Sequence, residues 1–551
     1  MAQRNLTRQE IRRRRVTRRG NELQVVDEIH GALGTVRAPV EGEHRTWRQR
    51  ALALAAIMGP GLIVMIGDND AGGMATYAQA GQNHGYSLLW VLVLLIPVLI
   101  VNQEMVVRLG AVAGVGYAKL INERFGRFWG LFSVAGLFLL NFLTIATEFI
   151  GIALAAEFFG VTKYIVVPLA ALFLIGITMS GNFQRWERFM FLLLFLNLGL
   201  IPLAIFTRPD LAATGRGLVV PGIAGGVTSA AMLLIIQIVG TTVAPWQLFF
   251  QQSNVIDKRI TPRWLPYERA DTIVGAFVVV LGATCIIMAT AAAFQGTHAF
   301  GQFTDALGTA QGIADRFGRW VGAIWAVVLL DASIIGASAV TLATSYAFGD
   351  VFGLRHSLNR SVGEAKGFYV TFGGLVVLAA AIVLIPNAPL GLITEAVQAL
   401  AGILLPSSVV FLLLLCNDPA VLGPWVNRLW LNIVAIVIVG VLVVLSLVLV
   451  VTTVVPDINV PILLIVLSAA LAASLVGWGG WFWWQRGRRP PERPRVYTEA
   501  QKNRWRMPPL ALLERPSWSL GRRLVMGGMA AYIALSVLLL FVRAVELAAG
   551  G

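Results

Sequence analysis

Long apolar runs separated by short polar joints set the pattern of the chain. A helix needs about 20 mostly apolar residues to cross a bilayer. Runs of that length fall near 52–82, 86–107, 129–159, 164–181, 188–207, 228–254, 270–294, 320–348, 367–386, 389–416, 430–455, 459–484 and 523–547. About thirteen transmembrane helices are therefore predicted, in an all-α polytopic membrane protein. The polar joints are not equivalent. With the N-terminus on the cytoplasmic side, all of the 43 Lys and Arg residues lie on that side except Lys163, Arg208, Arg216, Arg316, Arg319 and Arg543. That is the asymmetry of the positive-inside rule, and the opposite orientation would invert it. The expected location is the plasma membrane (the inner membrane in a bacterium), with a cytoplasmic N-terminus and a C-terminus carried to the far side by the last helix.

The same pattern divides the chain. Residues 1–50 form a basic cytoplasmic tail, 51–417 a ten-helix core, 418–484 two additional helices, 485–522 a basic cytoplasmic linker and 523–551 an extra C-terminal helix. Arg488, Arg489, Pro490, Pro491 and Pro494 keep the linker from continuing a helix. The tail is too long and too basic for a signal peptide. Its Arg12 to Arg15, with Arg18 and Arg19, would attract anionic headgroups; beside so many spans a nucleic-acid partner is not expected.

Composition agrees with this picture. The chain is 57% hydrophobic and 13% charged, with mean hydropathy +0.75, which excludes a soluble protein. Cys285 and Cys416 both lie in apolar stretches and read as small packing groups, with neither a disulfide nor a thiolate metal site. Nothing points to an enzyme or to a bound cofactor.

Two spans carry residues that an ordinary lipid-facing helix would not. The first contains Gly67-Asp68-Asn69-Asp70-Ala71-Gly72-Gly73. Glycines let the backbone unwind and expose carbonyl oxygens, and a carboxylate at membrane depth costs several kcal/mol unless a cation meets it. The sixth contains Gly240-Thr241-Thr242-Val243-Ala244-Pro245-Trp246-Gln247, where Pro245 removes a donor and frees the carbonyl of Thr241. Helices one and six occupy matched places in two five-helix halves of opposite topology, and interrupted helices so placed point to a transporter's binding site.

At these residues the chain resembles the Nramp family of divalent-metal transporters, over about Gly59 to residue 440. Gly59-Pro60-Gly61 with Asp70-Ala71-Gly72-Gly73 resembles the family's Gly-Pro-Gly and Asp-Pro-Gly-Asn; Arg108-Leu109-Gly110, Glu148-Phe149-Ile150-Gly151 and Trp430-Leu431-Asn432 match as well. The resemblance implies the LeuT-type 5+5 inverted repeat, with discontinuous helices 1 and 6 and alternating access to a central ion site.

The departures bear on which ion. Gly73 replaces the family's Asn, and Ala244 replaces the methionine that marks transition-metal carriers. A thioether is a soft ligand, so its loss removes a preference for Mn²⁺ or Fe²⁺; both changes also subtract side chains and are expected to widen the site. A wide oxygen-lined site suits Mg²⁺, which keeps several of its waters, and the pattern resembles the Nramp-related magnesium transporter branch. By resemblance Asp70 is the metal-binding carboxylate. Asp68 has no counterpart and either adds charge to the site or sits solvated in an outer vestibule. Thr241 offers its carbonyl and its hydroxyl. Gln398 either helps to close the site or makes a packing hydrogen bond. Glu148 either lines the inward pathway or is a paired structural acid, and Asp331 is a possible vestibule group.

In the family two helix-six histidines and a helix-three aspartate are implicated in proton movement. Here those positions are Trp246, Gln251 and Ile145, which implies transport of Mg²⁺ or Mn²⁺ without proton coupling. His30, His44, His84, His298 and His356 fall at loops or ends and read as solvated. The alternatives are a proton-coupled Mn²⁺ or Fe²⁺ importer, a sodium-coupled organic-solute carrier and a non-transporting membrane receptor. Oligomeric state is not legible.

Overall fold

The computed structural model describes residues 46–455, 458–486 and 497–513, together with four short strands within 16–37 and scattered positions of 523–538. Ten helices among the described residues are long and apolar enough to cross a membrane; the bent pair Trp47–Ile57 and Pro60–Asn69 makes an eleventh, and the shorter apolar helix Lys163–Thr178 occupies the fourth predicted run. Each of the first twelve runs thus has its helix. The thirteenth lies largely outside the described residues. Where it is described, Met526 and Met529 are buried and the Tyr532 hydroxyl donates to the Ile403 carbonyl at 3.2 Å, so this segment packs on the tenth span.

Both expected breaks are present. The first span runs as helix Pro60–Ile66, a 3₁₀ turn Gly67–Asn69 and helix Ala71–His84. The sixth runs as Ser229–Thr242 and Pro245–Asp257, with Val243 and Ala244 non-helical between them and Pro245 opening the second half. The first span also bends where no break was expected, by 55° between Ile57 and Pro60. Gly59 makes that joint with φ 150, a region closed to side chains, and a Cβ there would collide with the Glu187 carboxylate. The new helix start is capped from another span. Asp271 accepts from the N–H groups of Gly61 at 2.8 Å, Leu62 at 3.2 Å and Gly59 at 3.3 Å. A carboxylate placed there answers both the orphan donors and the positive end of the helix.

Beside this joint sits a buried ion pair. Lys258, just past the sixth span, donates to Glu187 of the fifth span at 2.7 Å, to the Ile57 carbonyl at 2.7 Å and to the Met58 carbonyl at 2.8 Å. Both side chains are fully buried. The N-terminal tail joins the cluster instead of only lying along headgroups. Strands Glu28–Gly31 and Gly34–Arg37 pair as an antiparallel hairpin, the Ala32 N–H donates to the other Glu187 oxygen at 2.7 Å, and Ile29 packs with Ile57, Val107 and Trp264. A second hairpin joins Val16–Arg19 to Glu22–Val25. Breaking a buried pair on one side strands a charge, whereas removing both partners does not. Glu187→Gln is accordingly expected to lower stability by about 3–5 kcal/mol, and Glu187→Gln with Lys258→Met to recover most of it. Thermal unfolding of the detergent-solubilised protein measures both.

One histidine departs from the expectation of a solvated ring. His356, in the joint after the eighth span, packs on Gly349, donates from Nδ1 to the Leu354 carbonyl at 2.7 Å and pairs with Asp350 at 3.1 Å. Burial pulls its pKa down, but the Asp350 carboxylate outweighs burial and the net shift is upward; the more distant Asp257 adds to it. A raised native pKa means stability that is complete below the unfolded value of about 6.5 and is lost as pH rises through the native one. The stability difference between wild type and His356→Gln should therefore be largest at acidic pH, on the order of 1 kcal/mol, and vanish on the alkaline side in melting curves taken across pH 5–9.

Candidate metal site

The two breaks face one another, with Asp68 and Asp70 on the first and Glu148 of the third span beside Asp70. Asp70 caps the helix Ala71–His84, accepting from the Gly73 N–H at 2.7 Å. Asp68, in the 3₁₀ turn, is wholly buried and takes the side-chain amide of Gln247 on one oxygen; its other oxygen has no partner. Glu148 of the third span accepts from the Ala71 N–H at 3.1 Å, adjoins the Asp70 carboxyl, and keeps its second oxygen unpartnered. The Thr241 hydroxyl is also buried without a partner. Neither Lys nor Arg pairs with any of these carboxylates among the described residues. Glu268 and Asp331 also keep unpartnered oxygens elsewhere; what sets this place apart is that unmatched oxygens of Asp68, Glu148 and Thr241 lie where two helices are interrupted, which describes a place for a cation that the chain itself does not supply. The residues fit such a guest through oxygen alone. No three His, Cys, Asp or Glu side chains gather as a ready-made ligand cage among the described residues, which leaves coordination to few carboxylates, to carbonyls and to water.

The site is closed on both sides. Gln398 of the tenth span is buried with its amide nitrogen unpartnered and directly over Gly72, where a Cβ would collide with it. On the other side the buried Trp246 ring lies under Gly67, 3.1 Å from where a Cβ would stand. Tyr77 O–H and Thr242 Oγ1 meet at 2.7 Å and tie the second half of the first span, Ala71–His84, to the first half of the sixth.

The sequence profile described as Nramp, Natural resistance-associated macrophage protein-like, matches residues 61–452. The chain belongs to the Nramp family. Among its relatives is the divalent metal cation transporter MntH of Yersinia pestis (strain Pestoides F), 29% identical over 314 residues, which span 55% of this chain and 74% of that one. The MntH of Pectobacterium carotovorum subsp. carotovorum (strain PC1) is 28% identical over 348 residues, 61% of this chain and 82% of that one. Among solved structures, the Eremococcus coleocola manganese transporter superposes with a TM-score of 0.60 at 21% identity, covering 80% of this chain and 95% of that one; at that identity the likeness concerns the fold.

Within this Nramp chain the predicted residues fall into two groups. Asp68, Asp70, Gly73, Glu148, Thr241 and Gln398 surround the break. Asp68 is not in a solvated vestibule. Glu148 adjoins Asp70 and accepts from the Ala71 N–H. Ala244, buried at the joint of the sixth span, presents no donor atom from its side chain. The remaining residues are one step removed: Asp331 faces Asn197 of the fifth span, Gln251 donates to Thr272 at 3.3 Å, and Ile145 is buried a turn before Glu148. The expectation that Gly73 widens the site needs correction. A Cβ there would overlap the Asp68 carbonyl and lie 3.2 Å from the Thr241 hydroxyl, so the missing side chain makes room for backbone, not for an ion. Two residues were overlooked. Gln247 holds Asp68, and Gln103 of the second span donates to Gln247 at 3.0 Å; Gln247 is the residue after Trp246 in the interrupted stretch, whereas nothing in sequence marks Gln103.

These two glycine environments predict different outcomes. Gly73→Ala drives a methyl into backbone that cannot give way, an overpacking of about 1–3 kcal/mol, and should abolish metal binding by displacing Asp68. Gly72→Ala meets only the end of the Gln398 side chain, and Gln398→Ala should restore whatever it loses. Calorimetric metal titration of the three purified variants would contradict this reading if Gly73→Ala bound as wild type.

Proposed function

We propose that this chain carries a divalent metal ion, Mg²⁺ by preference and Mn²⁺ as well, into the cytoplasm by alternating access and without stoichiometric proton transport. Asp68, fully buried beside Asp70 with an unsatisfied oxygen, is the observation that carries the reading. Two carboxylates, an exposed carbonyl and the Thr241 hydroxyl are hard oxygen donors, and no thioether comes from Ala244; such a set favours an ion that binds through few carboxylates and retained water. Closure of the site on one side by Gln398 over Gly72 and on the other by Trp246 under Gly67 supports alternating access. A divalent ion moving inward gains about 4.6 kcal/mol per 100 mV of inside-negative potential, twice the single-charge value, so uptake requires no proton force. The bias of basic residues supports a cytoplasmic N-terminus in the plasma membrane.

A second reading, the proton-coupled manganese importer, is favoured by one contact and by the relatives. Asp70 and Glu148 adjoin, and an ion arriving at Asp70 would expel a proton shared by the pair. The relatives bear the names divalent metal cation transporter and manganese transporter.

Asp70→Ala is expected to reduce Mg²⁺ uptake into proteoliposomes to the protein-free level while the protein still elutes as a folded species; uptake near the wild-type rate would remove the site from the pathway. Ala244→Met alone, with Gly73 left in place because it has no room to grow, should shift the Mg²⁺ to Mn²⁺ uptake ratio toward Mn²⁺ by on the order of tenfold, or about 1.4 kcal/mol of differential ligation. A pH-sensitive dye inside the vesicles, with the potential clamped by valinomycin, separates the two readings: metal-dependent acidification above that of protein-free vesicles establishes the coupled importer.

A further inference from the structure

A cavity elsewhere on the molecule shares no lining residue with the metal site. It measures about 580 Å³ and opens at the basic end of the molecule, between the end of the second span (Leu89–Ala113) and the starts of the seventh (Leu265–Phe294) and eleventh (Leu429–Val454), with the linker helix Glu499–Arg504 as its outer wall. The linker is built onto this face. A capping box at Thr498 and Gln501 starts its helix, the Trp425 indole donates to the Lys502 carbonyl at 3.1 Å, and Trp505 packs on Gly423.

Five basic side chains line the cavity, namely Arg108, Arg263, Arg269, Arg428 and Lys502, against the acids Glu104 and Glu499. Glu104 is already shared between Arg108 at 3.1 Å and Arg269 at 2.7 Å, and Glu499 takes Lys502 at 3.0 Å. Arg108 is spent further on Asn427 at 2.6 Å and on the Trp425 carbonyl. Arg263 and Arg428 are exposed and, among the described residues, have no carboxylate partner. The cavity therefore carries an excess of positive charge at its rim, while deeper in it Ile100, Val101 and Leu431 are apolar. Beside Leu431 the eleventh span turns Leu429, Trp430 and Ile433 outward, 44%, 58% and 47% exposed, and that surface faces lipid.

We propose that this cavity is a binding site for an anionic phospholipid, with the headgroup phosphate between Arg263 and Arg428 and the acyl chains running along the second and eleventh spans. The volume suits a small-molecule ligand. Forked guanidinium groups match phosphate oxygens, and basic pockets between transmembrane helices at the membrane surface take such headgroups. A free phosphate would use the arginines but leave the apolar inner wall wet, which is why the lipid is the occupant. The linker becomes part of the site, so lipid binding would hold it against the transport core. None of this depends on which metal is carried.

Native mass spectrometry of the full-length protein, titrated with phosphatidylglycerol or phosphatidylcholine, tests the site. Phosphatidylglycerol should be retained and should raise the melting temperature, and phosphatidylcholine should do neither. Arg263→Gln and Arg428→Gln should each lower phosphatidylglycerol retention about fivefold, with Arg→Lys at the same positions falling between Gln and wild type, since Lys keeps the charge but not the fork. Both positions are exposed, and equal melting temperatures of wild type and variants in phosphatidylcholine verify that the Gln variants are folded. Equal retention of the two lipids, retention unchanged in the double Gln variant, or the same thermal protection from inorganic phosphate alone would each overturn the proposal, the last by identifying a soluble anion as the occupant.

Discussion

A carboxylate inside a membrane protein needs a positive partner, and the arrangement of this molecule follows from where that partner is supplied and where it is withheld. Glu104, Glu187 and Asp418 each meet Arg or Lys, and Asp271 meets three backbone donors at a helix start. Asp68 and Asp70 meet only uncharged donors. The unwound turn that carries them belongs to the same constraint. Interrupting the helix supplies the Gly73 amide to Asp70 and the Ala71 amide to Glu148, so the acids are held in place without being neutralised. Polar neighbours without charge orient a carboxylate and leave its attraction for a cation intact.

Much of this was legible in the sequence because it is local. Span positions follow from runs of apolar residues, the breaks from Gly67, Gly72, Gly73 and Pro245, and Asp70 from an acid amid glycines. The rest depends on residues far apart along the chain. That Glu148 adjoins Asp70, that Gln247 reaches Asp68 and that Gln103 supports Gln247 are relations between spans, and a helical residue's neighbours across a packing interface are not encoded in its own periodicity. The same limit explains His356. Its position in a joint suggested solvent, but Gly349 lets the ring settle against the eighth span within reach of Asp350.

Gly73 shows the limit in another form. A sequence states which side chain is missing relative to a relative's pattern, but not what fills the volume given up. At Gly73 a carbonyl fills it, at Gly72 an amide nitrogen, and at Gly61 the Asp271 carboxylate approaches to where a Cβ would be 2.9 Å away. In each case small size serves contact between backbone and a polar group, so cavity size at the metal site cannot be deduced from residue volumes alone.

The cluster around Lys258 ties three parts of the chain to one buried ion pair. One ammonium serves the Glu187 carboxylate and the carbonyls of Ile57 and Met58, and Glu187 in turn holds the Ala32 amide. These bonds join the start of the first span, the fifth span and the N-terminal hairpin through the one Lys258–Glu187 pair. Losing them one at a time would leave a charge half-satisfied in a buried place, so the partners let go together or remain together. Release of this cluster is then an all-or-none event, and the start of the first span, the fifth span and the hairpin shift as one body or not at all.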